Sequence, residues 1–583
     1  MSARTLPIAS KTGLVTLTLK VAGEVLGRTY RVKSLVVSRE FNRIPKATLT
    51  LLDGNAATGD FPVSNEATFL PGQQLEISVG YDSTEEPVFK GVIVKQALRI
   101  RADRAPELLI EARHEAVRMT LARRCRGFND QTDSAVLETL LGDYGLSAEV
   151  QATDVTHAGL VQYHATDWDF LLTRAEANGL LVSANDEAVT IAKPDFSPEP
   201  ALELTFGATM LDFDAELDAR TQSVEVRTQS WQPDDGGLLS LPAADPGLPE
   251  AGNHSAENLA AALGQSQTLR HDGVLTPDEM RAWGNGRLQR QRLAKIRGRV
   301  RFRGCRALNP GDLIALSGVG ERFSGSVLVS GVRHEISGGA WTTDVQFGLS
   351  PLPVFEEADG LPAPAAPPAG GLLPPVRGLH VGVVMGLEDP EGAFRVNVWI
   401  PAISEAEEGV WARLALLQAG KDRGTLFRPE PGDEVVVGFF EDDPRFPVVL
   451  GGLHSTAQSA PLNPSDDNPQ KGIFSRENLK LLFDDEKKSI QLTTPAGKKI
   501  TLDEAAGTVQ LEDEHRNKVT MKSSGVTVES GANLTLKAAG TLSLQAAQLS
   551  LSANASLAVK ATGSLQLESS GTAVLKGAVV MIN

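Results

Sequence analysis

The sequence predicts a mainly β protein with minor α content, and three patterns predict it. Short alternating runs punctuated by turn residues fill residues 1–350, with a few helical stretches between them. Five more such runs crowd into residues 377–456, and from residue 490 onward apolar residues arrive in pairs two apart at a near-constant interval. Alternation of period two marks a strand with one buried face, whereas a helix spaces its apolar residues three and four apart.

In chain order, LVTLTLKV (14–21) and KATLTLLDG (46–54) alternate, PGQQLEISVGYD (71–82) is a turn and a strand, and VFKGVIVKQALRI (88–100) is a further strand. Helices follow with their own boundary signals. Asp133 is the expected cap of SAVLETLLGDYG, which ends at Gly145. Thr166, with Asp169 three residues on, opens DWDFLLTRAEANG, and Gly179 stops it. Thr276, Pro277 and Glu279 start PDEMRAWGNGRLQRQRLAKI in the pattern of a capping box. The strands PGDLIALSGVG (310–320), GSVLVSGVRHEI (325–336) and WTTDVQFGL (341–349) complete an α+β region of small barrels. PGQQLEISVGYD and NPGDLIALSGVG share a P-G-x-x-apolar-x-apolar start, which points to two related barrels within 1–350.

Residues 351–376 are proline-rich and read as an extended spacer. Beyond it, HVGVVMGL, FRVNVWIP, WARLALLQ, DEVVVGFF and FPVVLGGL make five strands within 377–456, the pattern of an OB-type barrel or another small β-barrel. A connector, 457–475, leads to a repeat over 476–583.

That repeat begins with Ile490/Leu492, Ile500/Leu502, Val509/Leu511 and Val519/Met521 and tightens to about eight residues with Val526/Val528, Leu534/Leu536, Leu542/Leu544, Leu549/Leu551, Leu557/Val559 and Leu565/Leu567. Each pair puts two side chains on one face of a short strand, and Gly, Ala, Asn and Ser between pairs permit a bend. One such narrow stripe cannot offset the entropy of ordering the backbone around it. Three chains wound on one axis turn every stripe inward and pair every strand, so the expectation is a triple-stranded β-helix. A single-chain solenoid and a disordered low-complexity tail are the alternatives. The twelve residues from Val526 to Leu567 are the expected trimer core, and Val579, Val580, Met581, Ile582 and Asn583 the expected tip.

Composition narrows the function. A net charge of −17 argues against a general nucleic-acid or acidic-membrane binder. Two distant cysteines, Cys125 and Cys305, read as buried free thiols rather than a disulfide or zinc framework. The start lacks the apolar core of a signal peptide, and no run approaches a membrane span. Synthesis and assembly in the cytoplasm are therefore expected.

The stretch VQYHATDWDFLLTRAEANGLLV (161–182) resembles the signature segment of VgrG-type spike proteins. PGQQLEISVGYD and NPGDLIALSGVGERFSGSVLVSGVRHEI resemble the hub barrels of that family, and RPEPGDEVVVGFFEDDPRFPVVLGGLH its OB domain. The resemblance implies a homotrimer with a hub (1–350), an OB domain and a needle, mounted on the hexameric inner tube of a contractile injection system. It further implies baseplate proteins and a PAAR-type tip protein or effector cargo as partners, and the target cell envelope as what the spike meets on firing. DWDFLLTRAEANG and the charged LKLLFDDEKKSIQLTTPAGKKITLDE look more like extracellular phage-tail-like particles than type VI secretion spikes, which are the near alternative.

No catalytic site, cofactor or metal is expected. The gap from Leu453 to Leu479 is too short for an inserted lysozyme, and the chain ends directly after the repeat. G-x-S-x-G, H-E-x-x-H and P-loop patterns are absent from the sequence. Asp167 and Asp169 sit in a first helical turn, where carboxylates favour the dipole over acid–base work. GVGERF (318–323) reads as a turn, and His515 stands alone in one.

Overall fold

The computed structural model describes residues 4–5, 13–27, 29–232, 237–271, 274–354, 368–404 and 408–582. The chain divides into two compact units at Gln458/Ser459.

The first unit is built on a fourteen-stranded sheet. Strands Val15–Val21, Gln74–Tyr81, Thr84–Arg101, Arg104–Arg113, Lys46–Leu52 and Val32–Glu40 neighbour one another in that order. The strand Gly325–Ser337 pairs with Val32–Glu40 through Gly331–Ser337, with Leu313–Ser317 through Gly325–Leu328 and with Ala340–Phe347 through Val329–Ser337, so two curled halves share it. Each half encloses its own core. Leu35, Leu49, Leu75, Ile77, Ile93 and Leu108 fill the first, and Val300, Phe302, Ile314, Val329 and Phe347 fill the second.

The shared P-G start has a physical basis. Leu70-Pro71-Gly72-Gln73 and Asn309-Pro310-Gly311-Asp312 are turns in which the fourth N–H donates to the first carbonyl (3.2 Å in both). Gly72 and Gly311 sit at φ of 101° and 105°, a region that only glycine enters without strain. In each, the glycine N–H donates to a carbonyl of the long strand opposite (Ile93, Val329), and the N–H of that same residue returns to the carbonyl of Gln73 or Asp312. Glu430-Pro431-Gly432-Asp433 in the next domain repeats the arrangement with Val384, at φ 93°. The P-G-x-x-apolar-x-apolar start shared by PGQQLEISVGYD and NPGDLIALSGVG marks the first two of these turns.

Helices α1 (Asp133–Gly142) and α2 (Asp167–Ala177) form an inserted layer whose core includes Leu137, Leu140, Phe170 and Leu171. Thr132, not Asp133, caps α1, its hydroxyl accepting from the Ala135 N–H; Asp133 is buried and committed elsewhere. Thr166 caps α2 as expected, and α3 (Pro277–Leu293) opens with the full Thr276/Glu279 capping box. Cys125 is exposed and Cys305 half-buried, neither of them in a disulfide, which corrects the expectation of buried thiols.

The proline-rich stretch is not a bare spacer. Ala369, Leu372, Leu373 and Val376 are buried, Leu373 in the core of the inserted layer and Val376 in that of the following barrel, because GGLLPPV carries enough aliphatic bulk to pack. The remainder of that stretch, 355–367, lies outside the described residues. Strands His380–Gly386, Val396–Trp399, Gly409–Leu414, Pro447–Gly452 and Glu434–Phe439 close into a barrel. Val384, Val396, Val398, Val435, Val437 and Val449 fill its interior.

The second unit starts with seven antiparallel strands in sequence order, from Gln470–Phe474 to Gly525–Glu529. The sheet therefore begins within the stretch expected to be a connector. Among the described residues, no strand follows Glu529; the backbone forms no regular helix or sheet and bends at 531–532, 539–540, 547–548, 554–555, 562–563, 570–571 and 578. No helix among the described residues is long and apolar enough to cross a membrane.

Candidate functional site

In the seven-stranded sheet the apolar pairs fall in register. Ile490 lies opposite Leu502 and Leu492 opposite Ile500; Val509 and Leu511 continue the two rows to Met521 and Val519, and these to Val526 and Val528. Between the rows, Gln491, Thr501, Gln510, Thr520 and Thr527 align as a polar row on the opposite face. The apolar face is the open one: Leu492, Leu502, Leu511 and Val528 are all exposed, whereas Ser489 and Thr501 on the polar face are buried. An isolated protein does not leave so long an apolar strip in water without a partner for it.

After Glu529 the same pairs persist on a backbone without strand pairing. Leu534, Leu536, Leu542, Leu544, Leu549, Leu551, Leu557, Val559, Leu565 and Leu567 are each more than half exposed. They lie between the bends, which fall on Gly, Ala, Asn, Ser and Thr, with Gln548 the exception. The last in-chain strand ends at a fixed point: the Asn517 side-chain oxygen accepts from the Ser530 hydroxyl (2.8 Å) and the Gly531 N–H (3.1 Å). Val579, Val580, Met581 and Ile582 are exposed, and Asn583 lies outside the described residues.

Within the first unit, a buried charge cluster joins α1, α2 and α3 to the barrel. Arg174 on α2 grips Asp133 at the start of α1 (2.6 and 2.8 Å) and donates to the Leu372 carbonyl (2.7 Å). His157 lies 3.0 Å from Asp133 and 3.3 Å from Glu279. Arg445 of the barrel pairs with Glu279 and, at 2.9 Å, with Asp443, whose other contact is His271 at 2.9 Å. Burial alone would push these three carboxyls up; the adjoining guanidiniums and imidazoles reverse that and hold Asp133, Glu279 and Asp443 well below the usual carboxylate range. Burial pulls Arg445 down, but its two carboxylate partners raise it on balance.

This cluster explains much of DWDFLLTRAEANG. Asp167 is fully buried and accepts from Gln162 and the Tyr144 hydroxyl, both at 2.7 Å, so it is more than a dipole partner. Glu176 pairs with Arg290 on α3 (2.7 Å), and Asn178 donates to Asp133 (2.8 Å). Gly179 passes Gly286 of α3 so closely that a Cβ on it would meet the Gly286 Cα at 2.9 Å. Sequence reasoning assigned Glu279 to its cap and passed over Arg174, His157, His271, Asp443 and Arg445. Partners 166 residues apart carry no local signal.

A family model described as the Alg8 N-terminal domain matches residues 11–338. A second, described as the type VI secretion system/phage-baseplate injector OB domain, matches residues 380–454. The chain belongs to the Alg8 N-terminal domain family and is a VgrG-type spike. The spike is 25% identical over 397 residues to the type VI secretion system spike protein VgrG1b of Pseudomonas aeruginosa, covering 62% of this chain and 51% of that one. Over 196 residues it is 29% identical to VgrG1c of the same organism, covering 31% and 26%. The chain thus spans about half the length, or less, of these curated relatives. A solved Francisella PdpA–VgrG complex superimposes with a TM-score of 0.53 at 9% identity, covering 90% of the spike and 81% of that chain. That likeness speaks for the fold.

Proposed function

We propose that the spike works as a non-catalytic homotrimer at the tip of the inner tube of a contractile injection system, and that the particle is of the extracellular phage-tail-like kind. The observation that carries this reading is the open apolar face of the needle sheet, continued by exposed leucine pairs. Three copies facing inward bury both rows and supply the strand partners that the winding segment lacks in one chain. The product is a narrow, stiff needle, with only Glu529, Lys537, Lys560, Glu568 and Lys576 ionised after residue 525. Three copies of a two-part hub present a pseudo-sixfold ring to a hexameric tube, and the sheath supplies the work that drives the needle into a target envelope.

Val579, Val580, Met581 and Ile582 are exposed and apolar, a surface suited to a PAAR-type cap or a cargo protein. The Francisella structure whose fold the spike shares is a PdpA–VgrG complex, which favours a protein partner here too. Asp167, one of the two carboxylates weighed for acid–base work, is occupied by the Tyr144 hydroxyl and the Gln162 amide, which supports a non-enzymatic reading. No cofactor enters this function.

A type VI secretion spike is the second reading, favoured by the P. aeruginosa relatives, which are type VI secretion system spike proteins. Fractionating the medium of intact producer cells separates the two. The extracellular reading expects the spike in sheathed particles that sediment from cell-free medium; a spike found only in cell-attached assemblies contradicts it. A zymogram of the purified spike on peptidoglycan is expected to show no clearing, and clearing would overturn the non-catalytic assignment.

A further inference from the structure

In each repeat of the second unit one residue stands between the two apolar ones, and its character changes late in the series. From Gln491 to Thr527 these residues form the polar row of the seven-stranded sheet, on the face opposite the apolar pairs. Thr535, Ser543, Ser550, Ala558 and Gln566 continue the row through the next five repeats. The bends at 570–571 and 578 set off two more repeats, with Ala573/Leu575 and Val580/Ile582 as their pairs, eight and then seven residues further on. Between the members of those pairs stand Val574 and Met581. Val579, two residues before Met581, falls on the same side by the same alternation. Val574, Val579 and Met581 are 78%, 78% and 88% exposed.

Nothing in the association of three chains calls for this change. With the pairs turned inward, the residue between them faces water, and ten repeats in succession, from Gln491 to Gln566, place a polar or small side chain there. Val574, Val579 and Met581 from each of three chains instead make an apolar band two strands high, about 10 Å at the usual strand spacing. A lone valine on a surface needs no explanation, but a closed apolar band calls for a cover. Lys576, exposed and two residues beyond Val574, lies on the same side and adds one cation per chain; the nearest acid in the sequence is Glu568.

We infer that these two repeats carry an apolar collar on the outer face of the needle, and that a partner protein encloses the collar in a socket lined by apolar side chains and rimmed by carboxylates that meet Lys576. A flat cap seated on Val580 and Ile582 leaves Val574 in water; only a partner that reaches down the side of the needle covers it. A protein fits better than the lipid of a target envelope, because the collar stands in water before any envelope is met and needs its cover then. The unbranched Met581 side chain suits such a contact, since it adapts to an irregular surface. This inference rests on the three-chain reading of the needle, and its test keeps the two apart.

The test uses the full chain with Cys125→Ser and Cys305→Ser, carrying one new cysteine at a time, and compares maleimide labelling of the isolated spike with that of the intact particle. Val574→Cys is expected to label freely on the isolated spike and at least tenfold more slowly in the particle, while Ser550→Cys, on the same side higher up the needle, labels equally in both. Val574→Cys labelling at the same rate in both overturns the socket, even where Met581→Cys is protected, since that pattern belongs to a cap on the end alone. Protection of Val574→Cys that appears only after the particles meet vesicles of phosphatidylethanolamine and phosphatidylglycerol assigns the collar to lipid and also overturns the socket. Leu542→Cys reports on the needle itself and should be protected on the isolated spike. Slow labelling of both Leu542→Cys and Val574→Cys there leaves the three-chain needle standing and overturns the outward collar. Free labelling of Leu542→Cys overturns the three-chain needle and the socket with it.

Discussion

Replacing Arg445 with Met tests whether the buried cluster joins the barrel to the helical layer. The Arg445 side chain is 9% exposed and binds Asp443 at 2.9 and 3.2 Å while also pairing with Glu279. The substitution leaves those carboxylates buried, each with one imidazole neighbour: His271 at 2.9 Å and His157 at 3.3 Å. Breaking a buried ion pair from one side costs about 3–5 kcal/mol, because the remaining charge has lost its solvent and its counter-ion. At about 1.4 kcal/mol per tenfold, this is a loss of protection by roughly two to nearly four orders of magnitude. Hydrogen exchange of the amides at 275–280 and 440–447 reads this directly, provided they open through separation of barrel and α3. Arg445→Met combined with Glu279→Gln and Asp443→Asn should recover part of the loss, since the stranded charges go with the guanidinium. Protection in Arg445→Met within threefold of the parent would refute the argument that this cluster holds the two parts together.

Four other outcomes are expected. Leu542→Asp places one charge per chain, hence three on the axis of the proposed needle, and should abolish the trimer in light scattering. Leu542→Ala, at about 2–5 kcal/mol for each of the three copies, should lower the denaturant midpoint of trimer dissociation. Acid should act in two windows. Burial, with Arg39 and Arg306 adding to it, pushes His334 down to about 3, so the unfolded chain gains a proton below about pH 6.5 that the folded one refuses, and stability falls by roughly 1.4 kcal/mol per pH unit from there. Asp133, Glu279 and Asp443, held low in the fold, add their own loss only as pH drops below about 4, where the unfolded carboxylates protonate first. His334→Gln should make the fall of the thermal midpoint between pH 6.5 and 4.5 shallower, the remainder coming from His114, which burial also pulls down. Gly432→Ala, at φ 93° with open space around it, should cost about 1–2 kcal/mol by backbone strain alone, measured as a lower thermal midpoint of the barrel.

What could be read from the sequence depended on the range of the interactions. The five barrel strands, the α2 and α3 caps and the eight-residue bends follow from neighbours within a few residues, and the structure places them where their patterns fall. Asp133 was misassigned as a cap because Thr132 and Asp133 are equally good local candidates; only Arg174, 41 residues on, decides between them. The spacer was misjudged because prolines dominate its composition while Leu372, Leu373 and Val376 decide its packing. The sharing of Gly325–Ser337 by both halves of the hub was hidden for the same reason. A strand's pattern records that one face is buried, not which strands flank it.

The account rests on an association of three chains, since the needle's apolar rows have no partner within one. Light scattering coupled to size exclusion, on the full-length spike at micromolar concentration and neutral pH, measures that association without any substitution. The expected mass is three times the 62.0 kDa of a single chain, unchanged on tenfold dilution. A well-folded species at the mass of one chain, with its leucine pairs in water, would contradict it.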